Sequence, residues 1–269
     1  MVFVLLILIF LLREGLPIFA VVPPVSFVLG VEWFPLSGIF GILPLILGSL
    51  LVTAGAIAIA LPLGLAVAVY LAEVAPNWVK GILKPTVELL AGIPSVVLGF
   101  VGYLVLAQMV KNAFDLPTGL TGLTGSIILA YMALPTIVSI SDDAIRAVPD
   151  EYRQASLALG ATKWQTIRGV TLPAALSGIA AAIMLGIGRA IGETMAVWMV
   201  TGNAPVMPTT LLEPLRTLTA TIAAEMGETA RGSDHYHALF AIGIALFIIT
   251  LMINTVADVV LHRMRRRPA

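Results

Sequence analysis

Phe40–Ala72 reads FGILPLILGSLLVTAGAIAIALPLGLAVAVYLA, with no charged side chain before Glu73. At about 1.5 Å of rise per residue, roughly 20 apolar residues of helix cross the ~30 Å of bilayer hydrocarbon. The stretch is therefore a membrane span with length to spare. Working outward, Thr86–Val110, Thr124–Ser141, Thr171–Thr201 and Tyr236–His262 give four more runs of sufficient length. Met1–Leu12 is apolar but reaches only about 18 Å as a helix before Arg13-Glu14 interrupts it and Leu16 resumes it. We expect a sixth span here, short at its start. A cleaved signal peptide would need a basic leading region and a small-residue cleavage site, and the letters supply neither.

Composition agrees: of 269 residues, 59% are apolar and 11% charged, which excludes a water-soluble globule. Fifteen basic and fifteen acidic side chains cancel, leaving no global field to hold nucleic acid. Cysteine is absent, so disulfides, thiolate metal sites and a cysteine nucleophile are excluded, and His235, His237 and His262 are too few and scattered to suggest catalytic zinc. No metal site is expected. Basic residues of short connections stay on the cytoplasmic side. One face collects Lys80, Lys84, Arg146, Arg153, Lys163, Arg168, Arg263, Arg265, Arg266 and Arg267; the other has only Arg13, Lys111, Arg216 and Arg231. Six spans with both termini in the cytoplasm satisfy that bias.

No phosphate-cradling G-x-x-x-x-G-K-[ST] stretch occurs, and no loop is long enough for a nucleotide-binding domain. The chain is therefore not expected to be an enzyme or to bind a cofactor of its own. The outer connections are likewise too short to capture a solute. If a solute moves uphill, capture and ATP hydrolysis fall to partners.

The connection between the fourth and fifth spans carries helix signals. Pro149 fits a first helical position, with Asp150 and Glu151 in the first turn. Tyr152, Ala155, Ser156 and Leu159 follow at helical spacing, Gly160 breaks, and Thr162 with Gln165 makes a capping box for a second short helix ending near Arg168. Two short helices with a small-residue elbow are expected to project as a docking knob; the plainer reading is an amphipathic helix lying on lipid. The run QASLALGATKWQTIRGVTLP, Gln154–Pro173, resembles the EAA signature of ABC-importer permeases, with Gly160, Val170, Leu172 and Pro173 in place. It departs in having Gln154 for the Glu and Ser156 for the second Ala. The resemblance implies docking into an ATPase subunit through Glu151, Gln154, Ala155, Ser156, Gly160, Ala161 and Thr162.

Within the fifth span, AAIMLGIGRAIGETMAVWMVTGN places Arg189 and Glu193 four residues apart, as on one helical face. Charges at mid-membrane cost about 2.5–3.5 kcal/mol each on insertion scales, so they face protein, water or each other. One reading is a self-neutralising pair. The other is an anion site, since the planar guanidinium fork matches oxyanion geometry. A carboxylate alongside would accept from the P–OH of phosphate and repel sulfate, which has no such donor. Gly188 and Gly192 have the spacing of a close helix contact. In ELLAGIPSVV, Pro94 removes a backbone donor and can expose a carbonyl, making Ser95 a pore candidate beside the commoner reading of a packing kink. Asp142, Asp143, Asp150 and Glu151 read as a solvated inner acidic group, and TLTATIAAEMGETAR as a short helix on the outer surface.

GRAIGETMAV (Gly188–Val197) is similar to the fifth span of the permeases of phosphate-specific (Pst-type) ABC importers, and FLLREGLPIF, GILPLILGSLLVT and LKPTVELLAGIPSVVLGF resemble specifically their C-type subunit. That resemblance implies an all-α polytopic MetI-like fold. Residues 1–38 would be a first helix and outer loop, 39–262 the permease core with a coupling segment at 149–173, and 263–269 a basic cytoplasmic tail. It implies a bacterial or archaeal inner membrane, an A-type permease partner, two ATPase subunits using ATP and Mg, and an extracytoplasmic phosphate-binding protein. Arg189 and Glu193 match the family's charged pair, with Thr194 and Ser95 as further pathway candidates. A molybdate or sulfate permease is the alternative, and an ion-coupled carrier a more distant one.

Overall fold

A computed structural model describes residues 2–265. Helix α1, Val2–Gly15, continues through a tight turn at Leu16–Ala20, so the first span is Phe3–Ala20. Arg13 and Glu14 lie within it and do not interrupt it; Arg13 is near one end with its side chain 82% exposed, where a long cationic side chain can reach polar surroundings. After α2, Pro24–Leu29, a hairpin pairs β1, Trp33–Phe34, with β2, Ile39–Phe40, antiparallel through a turn in which Gly38 has φ +72°. The second span joins α3, Leu43–Val69, to a widened helical turn at Tyr70–Val74.

The third span differs from the sequence expectation. Thr86–Val110 is two helices: α4, Asn77–Ala91, and then, beyond Gly92–Pro94, α5, Ser95–Val101. With the wide turn Gly102–Leu106 and α6, Ala107–Ala113, the crossing segment is Ser95–Ala113. Pro94 has ψ 137°, which ends the helix outright where a kink had been expected. The fourth span is α7, Gly122–Arg146. Next come α8, Asp150–Ala158, and α9, Lys163–Thr166, which passes through a wide turn at Ile167–Thr171 into α10, Leu172–Ile191. The second projecting helix therefore does not stop near Arg168; it is the beginning of the fifth span, Lys163–Ile191. That span ends ten residues earlier than Thr201, and α11, Met195–Val200, is separate. After α12, Leu218–Glu225, the last helix is α13, Asp234–Arg265, with its span at Asp234–Val259. Among the described residues, six helical segments are thus long and apolar enough to cross a membrane. Of the basic tail, residues 266–269, including Arg266 and Arg267, lie outside the described residues.

The chain forms two compact units. One contains the chain up to Ala56, Pro94–Leu129 and Ile191–Met252. Its core gathers Ile18, Phe27, Trp33, Phe40, Ile42, Leu45, Leu218, Leu239 and Ile242. Helix α12 is part of this interior: Leu218, Thr219, Ala220 and Thr221 are buried, contrary to the surface helix expected. The polar letters misled because the threonines bond locally, Thr221 Oγ1 donating to the Thr217 carbonyl at 2.8 Å and Thr217 Oγ1 accepting from Ala220 N–H. Glu225 closes this region, accepting from the Trp33 indole at 3.1 Å and from Arg216, and lying 2.7 Å from His235 Nε2.

The other unit contains Ile57–Ile93, Ala130–Ala190 and the chain from Ile253. Ile137 of α7 is wedged between Gly64 of α3 and Gly186 of α10; a Cβ on either glycine would come within 2.8–2.9 Å of its side chain. Small residues let the helices approach this closely in lipid. Gly188 and Gly192, in contrast, do not form the expected packing pair: nothing lies within 4 Å of a Cβ at Gly188, and Gly192 is past the helix end.

Candidate functional site

Arg189 lies in the last turn of α10, on the same seam as Gly186 one turn earlier. Its Nη1 donates to Thr136 Oγ1 of α7 at 3.2 Å, and its Nη2 to the backbone carbonyl of Ala91 at 3.4 Å. Ala91 is the final residue of α4, and the turn at Pro94 leaves its carbonyl without the amide four residues on that a continuing helix would supply. Both acceptors are neutral oxygens. A guanidinium carries five N–H donors, so three remain uncommitted to these partners and the positive charge is oriented without being cancelled.

Glu193 does not share a helical face with Arg189, because α10 ends at Ile191 between them. Gly192 weakens helix continuation, and Glu193 competes with it by capping the next helix: its Oε1 accepts from Ala196 N–H at 3.3 Å, and its carbonyl accepts from Thr219 Oγ1 at 2.7 Å. Thr194 precedes α11 and donates from Oγ1 to the Gly192 carbonyl at 3.4 Å. Ser95 opens α5, which packs along α11 with Gly99 against Ala196 and Met199. Ser95, Glu193 and Thr194 thus belong to the starts of two short packed helices in one unit, whereas Arg189 belongs to the other.

The connection between α7 and α10 is built much as its letters indicate. Pro149 occupies the cap position one residue before α8, with Asp150 and Glu151 in the first turn. Gly160 takes φ +83° in open space, making the elbow a place where a side chain would be strained. The capping box is reciprocal: Gln165 N–H donates to Thr162 Oγ1 at 3.3 Å, and Thr162 N–H donates to Gln165 Oε1 at 2.7 Å. Ser156 Oγ meets Thr166 Oγ1 at 3.0 Å and ties α8 to α9. Glu151, Gln154, Ala155, Gly160 and Thr162 are exposed, with Ser156 and Ala161 half-buried. Around them Leu159 is 89% exposed and Trp164 63%.

Two features of this end are invisible in local sequence. Arg153 clamps α8 to its surroundings: Nε donates to Glu73 Oε1 at 3.0 Å, Nη1 to the Val148 carbonyl at 2.6 Å and Nη2 to the Ile145 carbonyl at 2.8 Å. Asp142 is not solvated as expected but 1% exposed, held by Arg146 Nε at 2.7 Å and Lys84 Nζ at 3.3 Å. Lys84 also reaches Asp143 at 2.9 Å. That hydrogen bond to Asp143 is the main cause holding the Lys84 ammonium above its ordinary pKa, with Asp142 adding to it against partial burial. Among the described residues no group of three His, Cys, Asp or Glu side chains converges to hold a metal. The glutamate and arginine of the clamp lie 80 residues apart, so only the fold brings them together.

The family model described as "binding-protein-dependent transport system inner membrane component" matches residues 60–268. The probable ABC transporter permease protein YqgH of Bacillus subtilis is 44% identical, the match covering 91% of this chain and 80% of that protein. The phosphate transport system permease protein PstC of Mesorhizobium japonicum is 38% identical over 90% of this chain and 80% of its own, and PstC of Haemophilus influenzae 32% identical over 90% and 82%. Among solved structures, an inward-facing MetNI methionine ABC transporter matches with TM-score 0.64 at 18% identity, covering 87% of this chain and all but 1% of that one. A bacterial ABC transporter that imports alginate matches with TM-score 0.65 at 18% identity, covering 100% and 94%. These two establish the fold alone. With six apolar helices, a permease architecture and this coverage of its relatives, the chain is a multi-pass membrane protein and belongs to the binding-protein-dependent transport system inner membrane components, among the PstC-type permeases.

Proposed function

We propose that this chain is a permease subunit of an ATP-driven importer of inorganic phosphate, forming half of the translocation path. The observation that carries the reading is Arg189, a guanidinium at the end of an apolar span whose two partners are uncharged and whose remaining donors form a fork suited to an oxyanion. The phosphate-transport names of the PstC relatives favour phosphate over other tetrahedral anions. On their own unit, Glu193, Thr194 and Ser95 are proposed as further path residues, Glu193 accepting from a P–OH group that sulfate lacks.

The segment from Glu151 to Arg168 is the proposed coupling element, with Glu151, Gln154, Ala155, Ser156, Gly160, Ala161 and Thr162 as its docking residues. Its exposed apolar side chains, Leu159 and Trp164, and its rigid capping box suit docking into a cytoplasmic ATPase better than lying on lipid, because the Arg153 clamp fixes the segment to the wide turn after α3 and to the end of α7. Two such ATPase subunits would use ATP and Mg, an A-type permease would supply the other half of the path, and an extracytoplasmic phosphate-binding protein would deliver the substrate. Both chain termini would face the cytoplasm. Expected boundaries remain a first helix and outer loop at 1–38, a core at 39–262 and a basic tail beyond.

Radiolabelled phosphate uptake into vesicles carrying the assembled complex tests the reading, with sulfate and molybdate as competitors. Arg189→Ala is expected to lower uptake at least about tenfold, since a hydrogen bond to a charged group typically contributes about 1.5–3 kcal/mol. Uptake unchanged by that substitution refutes the anion role, and preferential competition by sulfate or molybdate reassigns the substrate.

A further inference from the structure

A long arginine side chain has many rotamers and gains little from its fork unless something holds the plane of the guanidinium. Here two oxygens do so from separate elements. Thr136 Oγ1 accepts from Nη1, and the Ala91 carbonyl from Nη2. Neither acceptor is accidental to the fold. Thr136 immediately precedes Ile137, the residue wedged between Gly64 and Gly186, and Gly186 lies one helical turn before Arg189 on α10. The packed seam and the hydrogen bond are therefore neighbours on the same pair of helices, and close packing sets where the hydroxyl stands. The Ala91 carbonyl is available only because the chain turns at Pro94, as a continuing helix would commit it to the Ser95 amide.

We propose that Thr136 is the positioning residue for Arg189: its hydroxyl, with the Ala91 carbonyl, presets the guanidinium so that the remaining three N–H groups present a fixed fork to the anion while the charge stays uncancelled. A carboxylate in either place would orient the fork equally well but would neutralise it. A hydroxyl and a peptide oxygen orient it and leave the attraction intact. The inference rests on the reading of Arg189 as the anion contact.

Initial rates of phosphate uptake by the complete complex test it, with phosphate supplied through its binding protein. Thr136→Val keeps the shape of the side chain and removes the acceptor; Thr136→Ser keeps the acceptor and removes a methyl. Thr136→Val is expected to lower the maximal rate by about tenfold, in the range for hydrogen bonds to charged groups. The half-saturating concentration, set by capture outside the membrane, should stay unchanged. Thr136→Ser should remain within about twofold of the wild type. In an Arg189→Ala background Thr136→Val should cause no further loss, because the two residues act through one contact. Wild-type rates in Thr136→Val, equal impairment of the Ser and Val variants, or additive losses in the double variant would each overturn the positioning role. Wild-type uptake by Arg189→Ala alone would instead remove the anion contact itself, so the two failures are told apart. Melting temperature and subunit copurification of each variant, expected to match the wild type, separate lost positioning from lost folding.

Discussion

Asp142 holds two cations on one buried carboxylate, Arg146 on Oδ1 and Lys84 on Oδ2, and so ties α4 to α7. Removing one member of a buried ion network leaves its partners uncompensated, which can cost several kcal/mol. Lys84 and Arg146 are each more than a third exposed, 37% and 38%, and water recovers part of that loss. Asp142→Ala is therefore expected to cost about 1–3 kcal/mol and to lower the melting temperature in detergent by roughly 2–10 °C. Asp143→Ala, whose side chain is 67% exposed, should stay within about 1 kcal/mol of the wild type. Because the Lys84 pKa is raised in the folded chain, its contribution is complete below the ordinary value of 10.5 and fades only as pH rises through the higher folded value. Stability measured from about pH 6 to 9 should show no step assignable to Lys84.

Helices α8 and α9 illustrate what an element needs beyond its propensities. Gly160 at φ +83° forms their elbow, and a β-branched side chain there is strained by about 1–3 kcal/mol. Gly160→Val is expected to reduce ATP-driven uptake with the six spans still inserted, measured as transport per membrane-inserted complex. Leu159 and Trp164 project from this element without burial against the chain, so Leu159→Ala and Trp164→Ala should leave the melting temperature of the isolated subunit unchanged. The same changes should weaken copurification of an ATPase by about tenfold, as expected of apolar anchors at an interface centre; intact copurification would point to a lipid-lying helix. The elbow and its capping box were legible because Thr162, Gln165 and Gly160 act within a few residues of one another. The breaks after Ala91 and Ile191 were not, because hydropathy reports preference for lipid and is silent on where a backbone hydrogen bond is given up. Pro94 and Gly192 were the available signals, and each also fits an unbroken, kinked or closely packed helix. The Arg153 clamp and the Thr136 contact join residues far apart in sequence, and no local pattern encodes them.

Across the whole chain, the composition of six apolar helices dictates a membrane protein, while buried polar contacts decide how each compact unit closes. In the unit containing the hairpin, Glu225 gathers Trp33, Arg216 and His235, which belong to three separate stretches of sequence. Glu225 is 18% exposed and Arg216 16%, so Glu225→Ala strands a mostly buried guanidinium and is expected to cost about 3 kcal/mol. Limited proteolysis within residues 202–233 should accelerate accordingly, and an unchanged digestion pattern would contradict this closing role. The Trp33 indole is also the one tryptophan sealed from its surroundings, at 1% exposure, against 71% for Trp78, 63% for Trp164 and 37% for Trp198. The protein thereby carries its own optical reporters. Iodide should quench the fluorescence of Trp164 and spare that of Trp33, and variants retaining a single indole would let docking at the knob and loosening of the hairpin be followed as separate colours of emission.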